Sequence, residues 1–171
     1  MKKYFLKKFQ KGVSLIELLL YFALLSIILI IATDLMIRSG EFSMEASAQN
    51  VIQEDARFIT SRLAYDIHQV SAITNPANLG QTTATLTLTV GAETHTYILV
   101  GNNLEYRKTV GSNTQTANLN SNLTKINSIS FQRLGSTSGK PTVKIIFEIQ
   151  DLKGTKGKPV KKIFETVVGT R

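Results

Sequence analysis

The sequence predicts an α+β chain: a long N-terminal helix, transmembrane and then amphipathic, packed on a C-terminal antiparallel β-sheet domain. Three observations predict it. From Val13 to Thr33 the chain is apolar with a single charge, Glu17. No proline interrupts Val13 to Thr74, and the second half of that stretch carries a helical apolar stripe. Beyond Asn75, short alternating segments follow one another between turn-rich stretches, the order of an α+β fold. The predicted organisation is a basic leader (1–12), a hydrophobic helix (13–38), an amphipathic continuation of that helix (39–74) and a β-rich globular domain (75–171).

The first element is the apolar run. At 1.5 Å per residue its roughly twenty residues span a hydrocarbon core about 30 Å thick. Ahead of it, residues 1–12 hold Lys2, Lys3, Lys7, Lys8 and Lys11 and no acid. That placement follows the positive-inside pattern, with the lysines cytoplasmic and the rest of the chain across the membrane. The chain carries a formal charge of +8. The other basic region is 140–171, where eight Lys and Arg face Glu148, Asp151 and Glu165, so the middle is slightly acidic. There is no cysteine. Disulfide staples and thiolate metal sites are excluded, and an exported domain must hold by its core alone.

Glu17 is the anomaly, because a carboxylate at the centre of a membrane helix costs roughly 2.5–3.5 kcal/mol on insertion scales. A secretory signal peptide fits poorly: its apolar core is shorter and ends in small residues, whereas this run ends IIATDLMIRSG. A plain anchor fits the length and leaves Glu17 unexplained. A cut between Gly12 and Val13 explains it. The new amino group on Val13 then lies one helical turn from Glu17, at the helix end where a carboxylate is favoured. Paired with its own or a neighbour's ammonium, Glu17 becomes a register device, since a wrong stagger leaves a charge unpaired among apolar helices.

The stretch KGVSLIELLLYFALLSIILI resembles the type IV prepilin signature: a short basic leader, Gly at the cut, then a hydrophobic helix with Glu five residues past the cut. The resemblance implies a pilin-like fold and cleavage after Gly12 by a prepilin peptidase. It also implies N-methylation of Val13 and an assembly role for Glu17. The implied partners are that peptidase, other pilin or pseudopilin subunits met through the N-terminal helix, and an inner-membrane assembly platform. The implied location is single-pass in the cytoplasmic membrane, leader inside and C-terminal domain outside, and then a pilus or pseudopilus. One departure stands out. Many pilins have a proline about twenty residues into the mature helix, and here the first is Pro76. Any unwinding on assembly falls instead to Ser39-Gly40, a pair of a type known at kinks.

The helix continues past Gly40. Ile52, Ala56, Ile59, Leu63, Ile67 (with Val70) and Ile73 recur at three- and four-residue spacings, while Glu54, Asp55, Arg57, Arg62 and Asp66 lie mostly off that stripe. Arg62 and Asp66 form an i,i+4 pair. LAYDIHQVSAI resembles the Arg/Asp-bearing helix of some minor pilins, those similar to the J-type pseudopilin or the W-type minor pilin. His68 and His95 are too far apart in sequence to make a metal site.

NPANLGQTT, from Asn75, ends the helix. ATLTLTV, GAE and THTYILV read as a β-hairpin. LEYRKTV is a third strand, 111–122 a polar loop, LTKINSISFQRLG a fourth strand, TVKIIFEIQD a fifth and VKKIFETVVG the last. No internal repeat is visible. No P-loop, Gly-rich dinucleotide fingerprint, G-x-S-x-G or H-E-x-x-H occurs, and no cofactor is implied. Glu148 and Asp151 read as a solvated pair at a strand end. Lys153, Lys156, Lys158, Lys161 and Lys162 lie on or beside one turn. They would meet phosphates of a nucleic acid or an acidic surface, or simply solubilise a hairpin and blunt an edge strand, the better-supported reading. The reading that emerges is a non-enzymatic minor pilin or pseudopilin subunit for secretion, adhesion and motility or DNA uptake. The alternative is an uncleaved bitopic binding protein displaying a β-rich domain.

Overall fold

The computed structural model describes residues 14–135, 139–153 and 159–170. Helix α1 (Leu15–Gln69) is followed by β1 (Ala72–Asn75), β2 (Thr82–Thr83), β3 (Thr85–Val90), β4 (Glu93–Val100), β5 (Asn103–Val110), β6 (Asn113–Asn118), β7 (Thr124–Leu134), β8 (Thr142–Asp151) and β9 (Lys161–Gly169). The fold is α+β with every strand pairing antiparallel. The chain divides into two compact units, Met1–Phe42 and Ser43–Arg171.

In the first unit the apolar side chains stand exposed, from Leu15 and Ile16 through Ile31 to Ile37. Ser39 and Gly40, the predicted weak point, are both helical. In the second unit α1 buries Ile52, Ala56, Ile59, Leu63 and Ile67, the predicted stripe. These side chains share one core with Leu86, Leu88 and Tyr97 and with Phe131, Ile145 and Phe147.

The strands form two sheets, β1-β3-β4-β5-β6 and β2-β7-β8-β9. Asn120 joins them. Its side-chain oxygen accepts from Leu104 N at 2.9 Å, and its amide donates to the Thr124 carbonyl at 3.0 Å.

Two sequence expectations need correction. The helix stops at Gln69 rather than Thr74. Ser71 binds the Thr89 carbonyl through its amide and its hydroxyl, which starts β1 beside β3. Ile73 is buried as the stripe required, but from a strand. Residues 111–122 are also not simply a loop, because Asn113–Asn118 pair with β5. β6 is exposed along its whole length, so no apolar alternation marked it. Turn chemistry does mark it. Gly91, Gly101 and Gly111 recur every ten residues, each opening a two-residue hairpin turn at φ near +60°. That left-handed region favours glycine, and such turns match the strand twist.

Candidate functional site

The first candidate region is the apolar part of α1. Glu17 is its third residue, in the first turn, where the helix dipole favours a carboxylate. Ser14 precedes the helix and its carbonyl accepts Leu18 N at 3.1 Å. Ser14 and Glu17 have the S-x-x-E spacing of a capping box. Glu17 Oε1 accepts the Tyr21 hydroxyl at 3.2 Å.

The other polar side chains of this stretch close on their own helix. Ser26 Oγ donates to Phe22 O and Thr33 Oγ1 to Leu29 O, each at 2.8 Å. Arg38 Nε meets Asp34 Oδ2 at 2.8 Å. Self-satisfaction of this kind is what hydrocarbon demands of a spanning segment. Residues 15–31 hold thirteen Leu, Ile and Phe. At roughly −0.3 to −0.6 kcal/mol each on insertion scales they contribute about −4 to −8 kcal/mol. That outweighs one carboxylate, and Glu17 sits at the end of the run rather than at its costly centre. The helix is long and apolar enough to cross a membrane. Gly12 and Val13, the predicted cleavage and methylation positions, lie outside the described residues.

The second region is a polar cluster around the Arg62–Asp66 pair that the sequence predicts; the burial of that pair and its partners on β4 and β5 were not legible there. Asp66 is 1% exposed, not solvated beside the stripe. Its Oδ2 accepts the Tyr97 hydroxyl at 2.5 Å and lies 3.0 Å from His95 Nδ1. Its Oδ1 faces Arg62 Nη2 at 3.4 Å. Arg62 also donates to the Tyr106 hydroxyl at 2.9 Å and lies over that ring. His95 Nε2 reaches Glu93 Oε2 at 3.2 Å, and Lys108 holds Glu93 Oε1 at 2.8 Å. A carboxylate only accepts, so each His95 contact calls for an N–H on that ring nitrogen.

Burial, with the Asp66 hydrogen bond second, raises the Tyr97 phenol far above its ordinary value. Lys108, then His95, lowers the Glu93 carboxyl. Three turns earlier on the same helix face, Asp55 Oδ2 accepts Ser121 N, Ser121 Oγ and Thr124 Oγ1. Asp55 and Asp66, eleven residues apart, thus clamp α1 to the β domain at two points. Their i,i+11 spacing was the signal available in the sequence. Asp66, His95 and Tyr97 are closed to a substrate, so what the cluster does is fasten helix to sheet.

The remaining expected residues are dispersed. His68 Nδ1 donates to Gly169 O at 2.9 Å, and among the described residues no cluster could hold a metal. Asp151, read as solvated, is buried and accepts Val160 N at 2.6 Å and Lys153 N at 3.1 Å, closing the β8–β9 connection. Lys153 borders a small apolar groove with Met44, Val51 and Leu123. Lys161 and Lys162 lie on β9, Lys161 3.9 Å from Glu148 and Lys162 over the Phe164 ring. Lys156 and Lys158 fall outside the described residues.

An apolar helix with an acidic first turn, leading into an antiparallel β domain, defines a pilin-like, membrane-anchoring layout. Residues 7–33 match the family model described as the prokaryotic N-terminal methylation motif, the mark of type IV prepilin-like proteins. The motif implies processing by a prepilin-type peptidase and assembly with other pilin-like chains. No curated protein and no solved structure matches the chain.

Proposed function

We propose that this chain is a minor pilin- or pseudopilin-type structural subunit. It is inserted once in the cytoplasmic membrane with the leader inside, cut between Gly12 and Val13, and methylated on the Val13 nitrogen. From there the assembly platform draws it into a pilus or pseudopilus serving secretion, adhesion and motility, or DNA uptake. The methylation motif over residues 7–33, with Glu17 in the first turn of α1, carries this reading.

The physics follows from that placement. Within the bilayer the helix is stable because its side chains are apolar and its few polar groups are self-satisfied. In a bundle of such helices the apolar surfaces pack without selecting a stagger. Glu17 selects one, because only the stagger that brings an ammonium to it leaves no unpaired charge. The test is intact mass and N-terminal sequence of the protein from cells with its own export machinery. The expected chain starts at Val13 and is one methyl heavier. A chain starting at Met1 overturns the proposal and leaves a bitopic anchor.

A further inference from the structure

We propose that the exposed flank of α1 from Met44 to Tyr65 is a seam for α1 of a second copy of this chain, lying parallel and displaced along the axis by one heptad. The inference rests on the subunit role proposed above and names the surface and the stagger that role would use.

Met44, Val51, Phe58 and Tyr65 follow one another at seven-residue steps along α1. They lie roughly 100° around the helix from the buried stripe of Ile52, Ile59 and Leu63, so the β domain does not account for them. Met44, Phe58 and Tyr65 are 58%, 55% and 56% exposed, and Val51 is half-buried. A lone exposed apolar side chain needs no explanation. A column of them at one heptad position is the mark of a coiled-coil seam. The column three residues further on holds Ser47, Glu54 and Ser61. Bulky side chains thus stand beside a column with two serines, which gives knobs and the room to receive them. A straight helix drifts by about 20° per heptad against such a repeat, and a left-handed supercoil removes the drift.

An apolar groove borders the same flank. Met44, Ser47, Ala48 and Val51 line it from α1, and Leu123 lines it from the residue before β7. A helix seated on the seam covers this groove as well.

Two copies inserted in one membrane by the same N-terminal helix have the same polarity, so their α1 helices run parallel. In the sequence the seven-residue step also continues back through Ile37 and Ile30. Charge then selects the stagger. With no displacement, Glu54 stands against Glu54 of the other copy, and Arg57 faces Arg62 across the flank of the seam. A displacement of one heptad, about 10 Å, keeps the apolar column matched. It sets Met44 against Val51, Val51 against Phe58 and Phe58 against Tyr65. It also moves Glu54 opposite Ser47 and Ser61 and takes Arg57 away from Arg62. A second heptad of displacement gives up one more apolar layer and relieves no further clash of charge.

The chain has no cysteine, so engineered cross-links read cleanly. Two differently tagged full-length chains, one with Val51→Cys and one with Phe58→Cys, are co-expressed in cells with their own export machinery, and the membranes are mildly oxidised. Helix axes roughly 8–10 Å apart, less a Cα radius of about 2.3 Å on each side, leave about 4–6 Å between facing residues, within disulfide reach. The mixed link between positions 51 and 58 is expected to form at least fivefold faster than either position links to itself. It should also form at least tenfold faster than the self-link of Thr116→Cys, an exposed position on β6. Tyr65→Ser, at an exposed position outside the core, should slow the mixed link at least threefold. A mixed link no faster than the self-links, a rate no faster than at Thr116, or no effect of Tyr65→Ser overturns the proposal. N-terminal sequencing of the same sample reads processing separately. A chain that starts at Val13 without forming the mixed link overturns the seam and leaves the subunit role standing.

Discussion

Replacing Asp66 with asparagine tests the clamp between helix and sheet at nearly constant volume, so no cavity confuses the result. The carboxylate takes Tyr97 and His95 on one oxygen and faces Arg62 with the other. An asparagine turns its oxygen to one side only, and its NH2 then faces a donor on the other. Two hydrogen bonds to a charged acceptor, worth about 1.5–3 kcal/mol each, fall toward the neutral range, a loss of about 1 kcal/mol apiece. Arg62 is about a third exposed. Its lost ion pair is screened and adds about 0.5–1 kcal/mol. The expected total is about 3 kcal/mol, at the low end of the cost of breaking a buried pair.

The chain has no tryptophan, so the near-ultraviolet tyrosine signal reports on the core, where Tyr97 and Tyr106 are buried. Urea titration of the full chain in detergent should show the midpoint lowered by roughly 1–3 M, given an m-value of about 1–3 kcal/mol/M. His95→Gln should cost less in the Asp66→Asn background than alone, because the two share one bond. A midpoint within about 0.3 M of the parent, with fully additive effects, would refute the clamp.

Glu17→Ala should leave the protein inserted and processed but poorly incorporated into filaments, as read by comparing membrane and sheared-filament fractions; normal incorporation would remove the register role. Leu63→Ala, at a fully buried position on α1, should cost about 2–5 kcal/mol in the same urea assay. Alkaline pH should also destabilise the β domain. The buried Tyr97 phenol is raised, so it stays protonated while the unfolded chain's phenol ionises near 10.0. A raised folded value contributes stability in full below the unfolded one, and the contribution is lost as pH rises beyond it. The slope approaches about 1.4 kcal/mol per pH unit per such tyrosine. Tyr97→Phe should flatten that part of the dependence, and an unchanged slope above about pH 10 would contradict it.

The elements that were legible in the sequence are those whose signal is local and repeated. The apolar run needs only length and composition, and the stripe Ile52, Ala56, Ile59, Leu63 and Ile67 needs only a period. β8 was readable to its ends because TVKIIFEIQD is apolar on the face it buries. β6 was not, because a strand with both faces in water carries no alternation. Its existence depends on β5 lying alongside and on the turn at Gly111. Asp66 failed for a related reason. A helix position near the edge of a stripe is buried or exposed according to what covers it, and here His95 and Tyr97 of β4 do.

By itself, then, the sequence determined the membrane-length helix, its motif with Glu17, the α+β class and most strands. These follow from side-chain chemistry repeated along a few turns of one chain. Only the tertiary structure decided the split into two sheets, the early end of α1 at Gln69, the Asp55 and Asp66 clamps and the open edge of β9. Each of those depends on residues tens of positions apart meeting in space, and no local pattern encodes which partner arrives.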